Sequence, residues 1–280
     1  MPLRKLNTSD AEELALRLSE TAVHALLEEA RLTPKPGLVD RRGSGAHTDM
    51  DLTLMEKSAM TLTPTFYRMS LAGWQRTPDS TLRRQIGAIG RLGEKDMMQA
   101  TAGINTHRGA IWSLGLLTTA AARYQGKTDA ETLVRTAAEL ARIEDTACPK
   151  SFSKGQYACN RYKVPGARGE AQMGFPHAMK ALPYLQEAAQ IGRQASQINA
   201  LMAIMADLPD TCVLSRGGMD ALNTMNQGAR QVLASGGFQS AAGQDAYNKL
   251  ESQMLAMNVS PGGAADLLAT AIFIDSITQA

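Results

Sequence analysis

The feature that most limits how this chain can fold is a helical spacing of apolar residues that returns along its length and is broken at intervals by glycine-rich, charged turns. Leu14, Ala15, Leu18, Ala22, Ala25 and Leu26 recur every three or four positions, the period that places side chains on one face of a helix. Ser9 and Glu12 have capping-box spacing ahead of them, and this helix is expected to end near Arg31, before Pro34 and Pro36. Leu52, Met55, Ala59, Leu62, Phe66 and Met69 form a second pattern behind Asp51, a candidate N-cap, with Pro64 as an expected kink. Asp79 is expected to cap a third, with Leu82, Ile86 and Ile89 on its apolar face. Segment 106–124 reads as another helix, and Thr128 with Glu131 repeats the capping-box spacing before Leu133, Val134, Ala137 and Leu140. After a break over 148–169, helical patterns cover 176–189, 191–206, 220–234 and 241–257, and Ser260-Pro261 reads as an N-cap followed by proline at the first helical position.

Alternating runs of β-branched residues are missing, so the expected fold is all-α, a single-domain multi-helix bundle over 1–280. A chain of 280 residues that is 44% hydrophobic can bury a core without disulfide staples. Cys148, Cys159 and Cys212 are odd in number and form no C-x-x-C pair, which favours a reducing, cytoplasmic setting. The charged N-terminal stretch lacks the apolar run of a signal peptide, and no segment has the length of a membrane span. A net charge of only +2 argues against nucleic-acid binding, whereas arginines beside glycine motifs point to a phosphorylated small molecule.

Five interruptions, 33–40, 45–51, 103–109, 166–170 and 260–266, combine glycine with charged or amide residues where helices start or end. Helix N-termini carry unpaired N–H groups and a positive dipole end, so several meeting at one place would suit phosphate. Lys35, between two prolines, would be held on a stiff backbone, which a rigid linker also explains; Arg41 and Arg42 follow within reach of the same anion or as surface charges. Asp49 and Asp51 could offer oxygens to Mg²⁺, although capping by Asp51 and dipole pairing by Asp49 also account for them. His47 reads as a base or a turn residue. Asn105, His107 and Arg108 crowd polar groups ahead of an apolar helix, an expensive mixture to bury without a polar ligand. The alternative is that Asn105 or Thr106 caps the helix while Arg108 faces water. Arg168 and Glu170 form a ligand-facing pair or a surface salt bridge. Asp210, Arg216 and Asp266 rank lower, because caps or helix–helix hydrogen bonds explain them, and His24 and His177 suit packing or helix ends.

Taken in order, TPKPGLVDRRGSGAHTDMD, GINTHRGAIW, GARGEAQMGFP, DTCVLSRGG and NVSPGGAADLLA resemble the motif series of the triphosphoribosyl-dephospho-CoA synthase family over about residues 25 to 275. LVDRRGSGAH resembles the malonate decarboxylase branch more than the citrate lyase branch. The resemblance implies an all-helical enzyme that uses ATP and Mg²⁺ to join C1 of the ATP ribose to the 2′-hydroxyl of 3′-dephospho-CoA, with adenine released. A separate transferase would load the product onto the carrier subunit. In that setting Asp49 and Asp51 would hold Mg²⁺, with Glu170 as a further ligand or the base. Lys35, Arg41, Arg108, Arg168 and Arg216 would meet phosphate, and His107 and Asn105 would orient ribose or adenine. The same reaction serving citrate lyase, a metal-dependent nucleotide or ADP-ribosyl glycohydrolase, and a non-catalytic nucleotide-binding protein stay open as alternatives. Methionine-rich faces leave a homodimer open.

Overall fold

Two segments that are apolar nearly all round decide the architecture, because a helix without a polar face has to be surrounded. In the computed structural model, which describes residues 8–148 and 154–279, these are α5 (Arg108–Arg123) and α14 (Gly262–Thr278), each buried along most of its length. Around them stand α1 (Thr8–Arg31), α2 (Leu52–Thr61), α3 (Thr63–Gly73), α4 (Ser80–Ala100) and α6 (Ala130–Arg142) from the first half. The second half adds α7 (Lys154–Tyr162), α8 (Gly166–Gln172), α9 (Pro176–Gln186), α10 (Ala188–Ile191), α11 (Arg193–Met205), α12 (Thr211–Ala234) and α13 (Ala241–Ala256). Helix α14 packs against α1, α5, α9 and α11, so a single apolar core runs from Leu14 to Ile277. Among the described residues there is no strand, only an isolated bridge between Asp40 and Gly43, and no helix is long and apolar enough to cross a membrane.

Local capping chemistry sets many of the boundaries. Asp51 accepts from the Leu54 N–H at 2.8 Å and Asp79 from the Leu82 N–H at 2.6 Å, as their spacing predicts. Pro64 falls in the first turn of α3, and the expected kink is a break between two helices at Leu62. The Ser9 side chain lies outside the described residues. Three expectations need correction. The cap of α6 is Asp129, which accepts from the Thr132 N–H at 2.8 Å; its carboxylate outcompetes the weaker hydroxyl acceptor of Thr128. The break over 148–169 holds α7 and the start of α8, helices too short for their apolar period to show. At α14 the Ser260 hydroxyl makes no cap; the Ala264 N–H is taken at 2.9 Å by Asp210, which also starts the neighbouring α12.

Asp210 thereby ties two helices together. Its Oδ1 caps α12 through the Cys212 and Val213 N–H groups at 2.7 and 3.2 Å, while Oδ2 caps α14. Truncation to alanine would strand these buried donors, each worth about 1–3 kcal/mol when left unpaired. Asp210→Ala is therefore expected to lose about 3 kcal/mol or more in urea unfolding. A loss below about 0.5 kcal/mol, the usual range for surface changes, would show that the double cap is dispensable.

Candidate active site

The N-terminal ends of α5, α12 and α14 meet, and Arg108, Gly109, Cys212, Gly262 and Gly263 keep surface open there. At their meeting point is Asp266, one turn into α14, whose carboxyl accepts from the Ala110 N–H at the start of α5. Gly109 makes this approach feasible, since a Cβ at that position would overlap Asp266 Oδ2. Burial, followed by the neighbouring charges of Glu29 and Asp210, raises the Asp266 carboxyl well above the ordinary carboxylate range. A carboxyl whose charged form is disfavoured in this way is a stronger base than an ordinary carboxylate.

Beneath it lies a buried ion pair. Lys35 is 2% exposed, and its ammonium donates to the Glu29 carboxylate at 2.5 Å and to the Glu29 carbonyl at 2.7 Å. Asp40 fixes the same loop by accepting from the Lys35 N–H at 2.9 Å, and Arg42 pairs with Asp40 and Glu251. Lys35 was expected to meet phosphate; its ammonium stays inside the protein, already held by Glu29. His107 is also enclosed: its Nδ1 lies 2.8 Å from Ser58 Oγ, while burial and then the charge of Lys35 push its pKa down to about 4. Its Nε2 has no partner among the described residues.

A hollow of about 450 Å³ adjoins this region, lined by Ser44, Thr48, Asp49, Asp51 and Lys57 among others. Lys57 faces the hollow while its neighbour Ser58 touches His107. Arg216, from α12, ties this loop to the second half of the chain by donating to the Ala46 carbonyl at 2.9 Å, with its second terminal nitrogen 3.1 Å from His47 Nδ1. Burial and then Arg216 lower the His47 pKa, against the opposing pull of Asp49 at 3.6 Å. Four of the five interruptions read from the sequence thus share one region, joined through Gly37 against Val259, Gly109 against Asp266, Asp210 to Ala264, and Arg216 to Ala46.

The fifth interruption meets α5 at Trp112, whose ring N–H donates to the Ala167 carbonyl at 3.2 Å, but its acid is already engaged. Glu170 is buried, and its two oxygens are taken by the His177 N–H at 2.9 Å and the His177 ring at 2.7 Å. It is not gathered with Asp49 and Asp51, and among the described residues no group of three or more histidine, cysteine or acidic side chains is placed to hold a metal. Arg41 is exposed and donates to the Arg31 carbonyl at 3.2 Å, Arg108 pairs with Glu94 at 3.2 Å, and Asn105 accepts from the Arg108 N–H at 3.3 Å. Arg168 is exposed on α8. Glu29 is the residue that sequence reasoning missed. It continues the apolar stripe of Ala22, Ala25 and Leu26, and a carboxylate on a buried face was the available signal.

Comparison with known proteins gives a consistent picture. A family described as "CitG: ATP:dephospho-CoA triphosphoribosyl transferase" matches residues 15–280. A Klebsiella pneumoniae protein named 2-(5''-triphosphoribosyl)-3'-dephosphocoenzyme-A synthase is 52% identical over 278 residues, covering 98% of this chain and 99% of its own. Proteins named as probable synthases of the same compound are 51% identical in Pseudomonas savastanoi pv. phaseolicola, covering 98% of this chain and 95% of theirs, and 49% identical in Azotobacter vinelandii, covering 94% and 92%. No solved structure matches.

Proposed function

Because this chain belongs to the ATP:dephospho-CoA triphosphoribosyl transferase family, we propose that it moves the triphosphoribosyl group of ATP onto the 2′-hydroxyl of 3′-dephospho-CoA and releases adenine. The observation that carries this reading to particular atoms is the desolvated Asp266 carboxyl where three helices begin. Breaking the N-glycosidic bond builds positive charge on the ribose and electron density on adenine. The bonding pair leaves with adenine, which takes up a proton from solvent, the 2′-oxygen closes a new bond to C1, and the hydroxyl proton passes to Asp266 in its ionised form. The helix N-termini face the negative charge of the phosphates. Asp266 is assigned this role ahead of Glu170 because His177 already occupies both Glu170 oxygens. His107, neutral at pH 7 and enclosed, stands at the N-cap of α5 against Ser58 and does not supply a proton. Asn105 lies beside it in the chain.

The donor set at the hollow suits Mg²⁺, which is usually held by one or two carboxylates together with substrate phosphates. Asp49 is 58% exposed at its side chain, and Asp51 uses only Oδ1 in capping. Mg²⁺ bound there would neutralise part of the triphosphate charge, with Lys57 as the cation that lines the hollow. Asp49→Asn and Asp51→Asn are each expected to raise the Mg²⁺ concentration for half-maximal adenine release by about tenfold or more, the equivalent of about 1.4 kcal/mol per lost contact. Unchanged Mg²⁺ dependence in both variants would remove them from the metal site. Segment 38–47 supports assigning the product to the acyl-carrier subunit of malonate decarboxylase. The reaction itself is tested by incubating the protein with ATP, Mg²⁺ and dephospho-CoA, omitting each in turn. Mass spectrometry should find adenine and the joined product only in the complete mixture; adenine without any joined product would refute the transfer.

A further inference from the structure

We infer that Arg83, Arg91 and Arg168, gathered beside Trp112, form a separate subsite for the diphosphate of dephospho-CoA; the assignment to dephospho-CoA rests on the proposed reaction. Helix α4 carries Arg83 and Arg91 on one stripe, and both face Asp145, which follows α6. Arg91 pairs with the Asp145 carboxylate at 2.6 Å and Arg83 at 3.6 Å. Gly87 leaves the gap into which this carboxylate fits, since a Cβ there would overlap Asp145 Oδ2. The Arg83 guanidinium lies 5.1 Å from the centre of the Trp112 ring, and the Trp112 ring N–H donates to the Ala167 carbonyl at 3.2 Å, which brings α8 and Arg168 to the same place.

The charge balance points to an anion. Among the described residues Arg83 and Arg91 share one carboxylate, Arg168 is close enough for its charge to act on Arg83, and Arg83, with a side chain only 8% exposed, has a buried Nε with no hydrogen-bond partner. Burying a cation without full pairing is unfavourable, and a structural tie between α4 and Asp145 would need one arginine, not several. The surplus of two positive charges matches the two negative charges of a diphosphate diester, and guanidinium forks suit phosphate oxygens. Placement agrees as well. Trp112 is one turn along α5 from Gly109, where Asp266 sits, about 5 Å along the helix axis. Dephospho-CoA carries its reacting 2′-hydroxyl and its 5′-diphosphate on one ribose, so a single nucleotide can reach both places.

The experiment uses the full chain with Trp74→Phe, which leaves Trp112 as the only tryptophan, and follows its fluorescence on titration with inorganic pyrophosphate and with dephospho-CoA. Both should give saturable changes. Arg91→Gln and Arg168→Gln, at more accessible positions than Arg83, should each weaken both dissociation constants by about tenfold and raise the KM for dephospho-CoA similarly, with the KM for ATP within about twofold. Circular dichroism checks that the variants fold. Unchanged constants in folded variants, with joined product still made, would overturn the subsite and leave the reaction standing. A rise in the KM for ATP alone would overturn the assignment by placing the triphosphate here. Pyrophosphate binding that is lost in the variants of a protein that makes no joined product would support the diphosphate subsite while the reaction fails.

Discussion

Replacing Asp266 by asparagine is expected to lower kcat for adenine release by about 10²–10⁴-fold, the range for loss of a positioned general base. The amide oxygen can still accept from the Ala110 N–H, so the start of α5 should survive. The pH dependence separates a base from a cap. An ionised Asp266 is needed to take the proton, and its carboxyl is held well above the ordinary range by burial, Glu29 and Asp210, with Lys35 countering Glu29 from below. In the wild type kcat/KM should therefore still climb with pH where ordinary carboxylates are already ionised, and the residual rate of Asp266→Asn should lose this limb. The effect on stability runs the other way. A carboxyl with a raised folded pKa holds its proton longer in the native state, so it costs stability as pH rises from the unfolded pKa through the folded one. At neutral pH the asparagine variant should melt at a higher temperature than the wild type while being nearly inactive. A variant that melts lower and retains its rate would leave Asp266 with only a capping role.

The largest loss of stability is expected at Lys35. Lys35→Met keeps much of the volume but leaves the Glu29 carboxylate buried without its cation, a change that typically costs about 3–5 kcal/mol. Urea unfolding should show this as a lower midpoint with a similar slope. Adding Glu29→Gln removes the stranded charge, so the double variant should recover most of the lost stability. If the double variant were less stable than Lys35→Met by the full cost of Glu29→Gln alone, the two side chains would be acting independently and the buried pair would not be the reason.

These two positions also show what the sequence could disclose. Helical period and local caps were legible because both depend on residues three or four apart: Asp51 and Asp79 start α2 and α4 as their spacing predicts. Asp129 replaced Thr128 as a cap because two candidate acceptors stood side by side. Asp210 and Asp266 are harder to read for a different reason. Each looks like an ordinary helix-end aspartate in its own segment, and its importance comes from N–H groups on other helices, at Ala264 for Asp210 and Ala110 for Asp266. Lys35 lay in a motif that invited a phosphate reading, and only the fold reveals Glu29 facing it from the inner side of α1. Asp49 and Asp51 share a hollow as their spacing suggests, whereas Glu170 is turned to His177 by the α8–α9 connection, which no short pattern encodes.

In the proposed reaction the 2′-oxygen of dephospho-CoA, not water, takes the place of adenine on the ATP ribose. Offering ATP and Mg²⁺ with dephospho-CoA that carries hydrogen in place of its 2′-hydroxyl tests this directly. The analogue is expected to bind and compete with dephospho-CoA while adenine release stops. Adenine released at an undiminished rate with the analogue would contradict this transfer and identify the chain as a glycohydrolase.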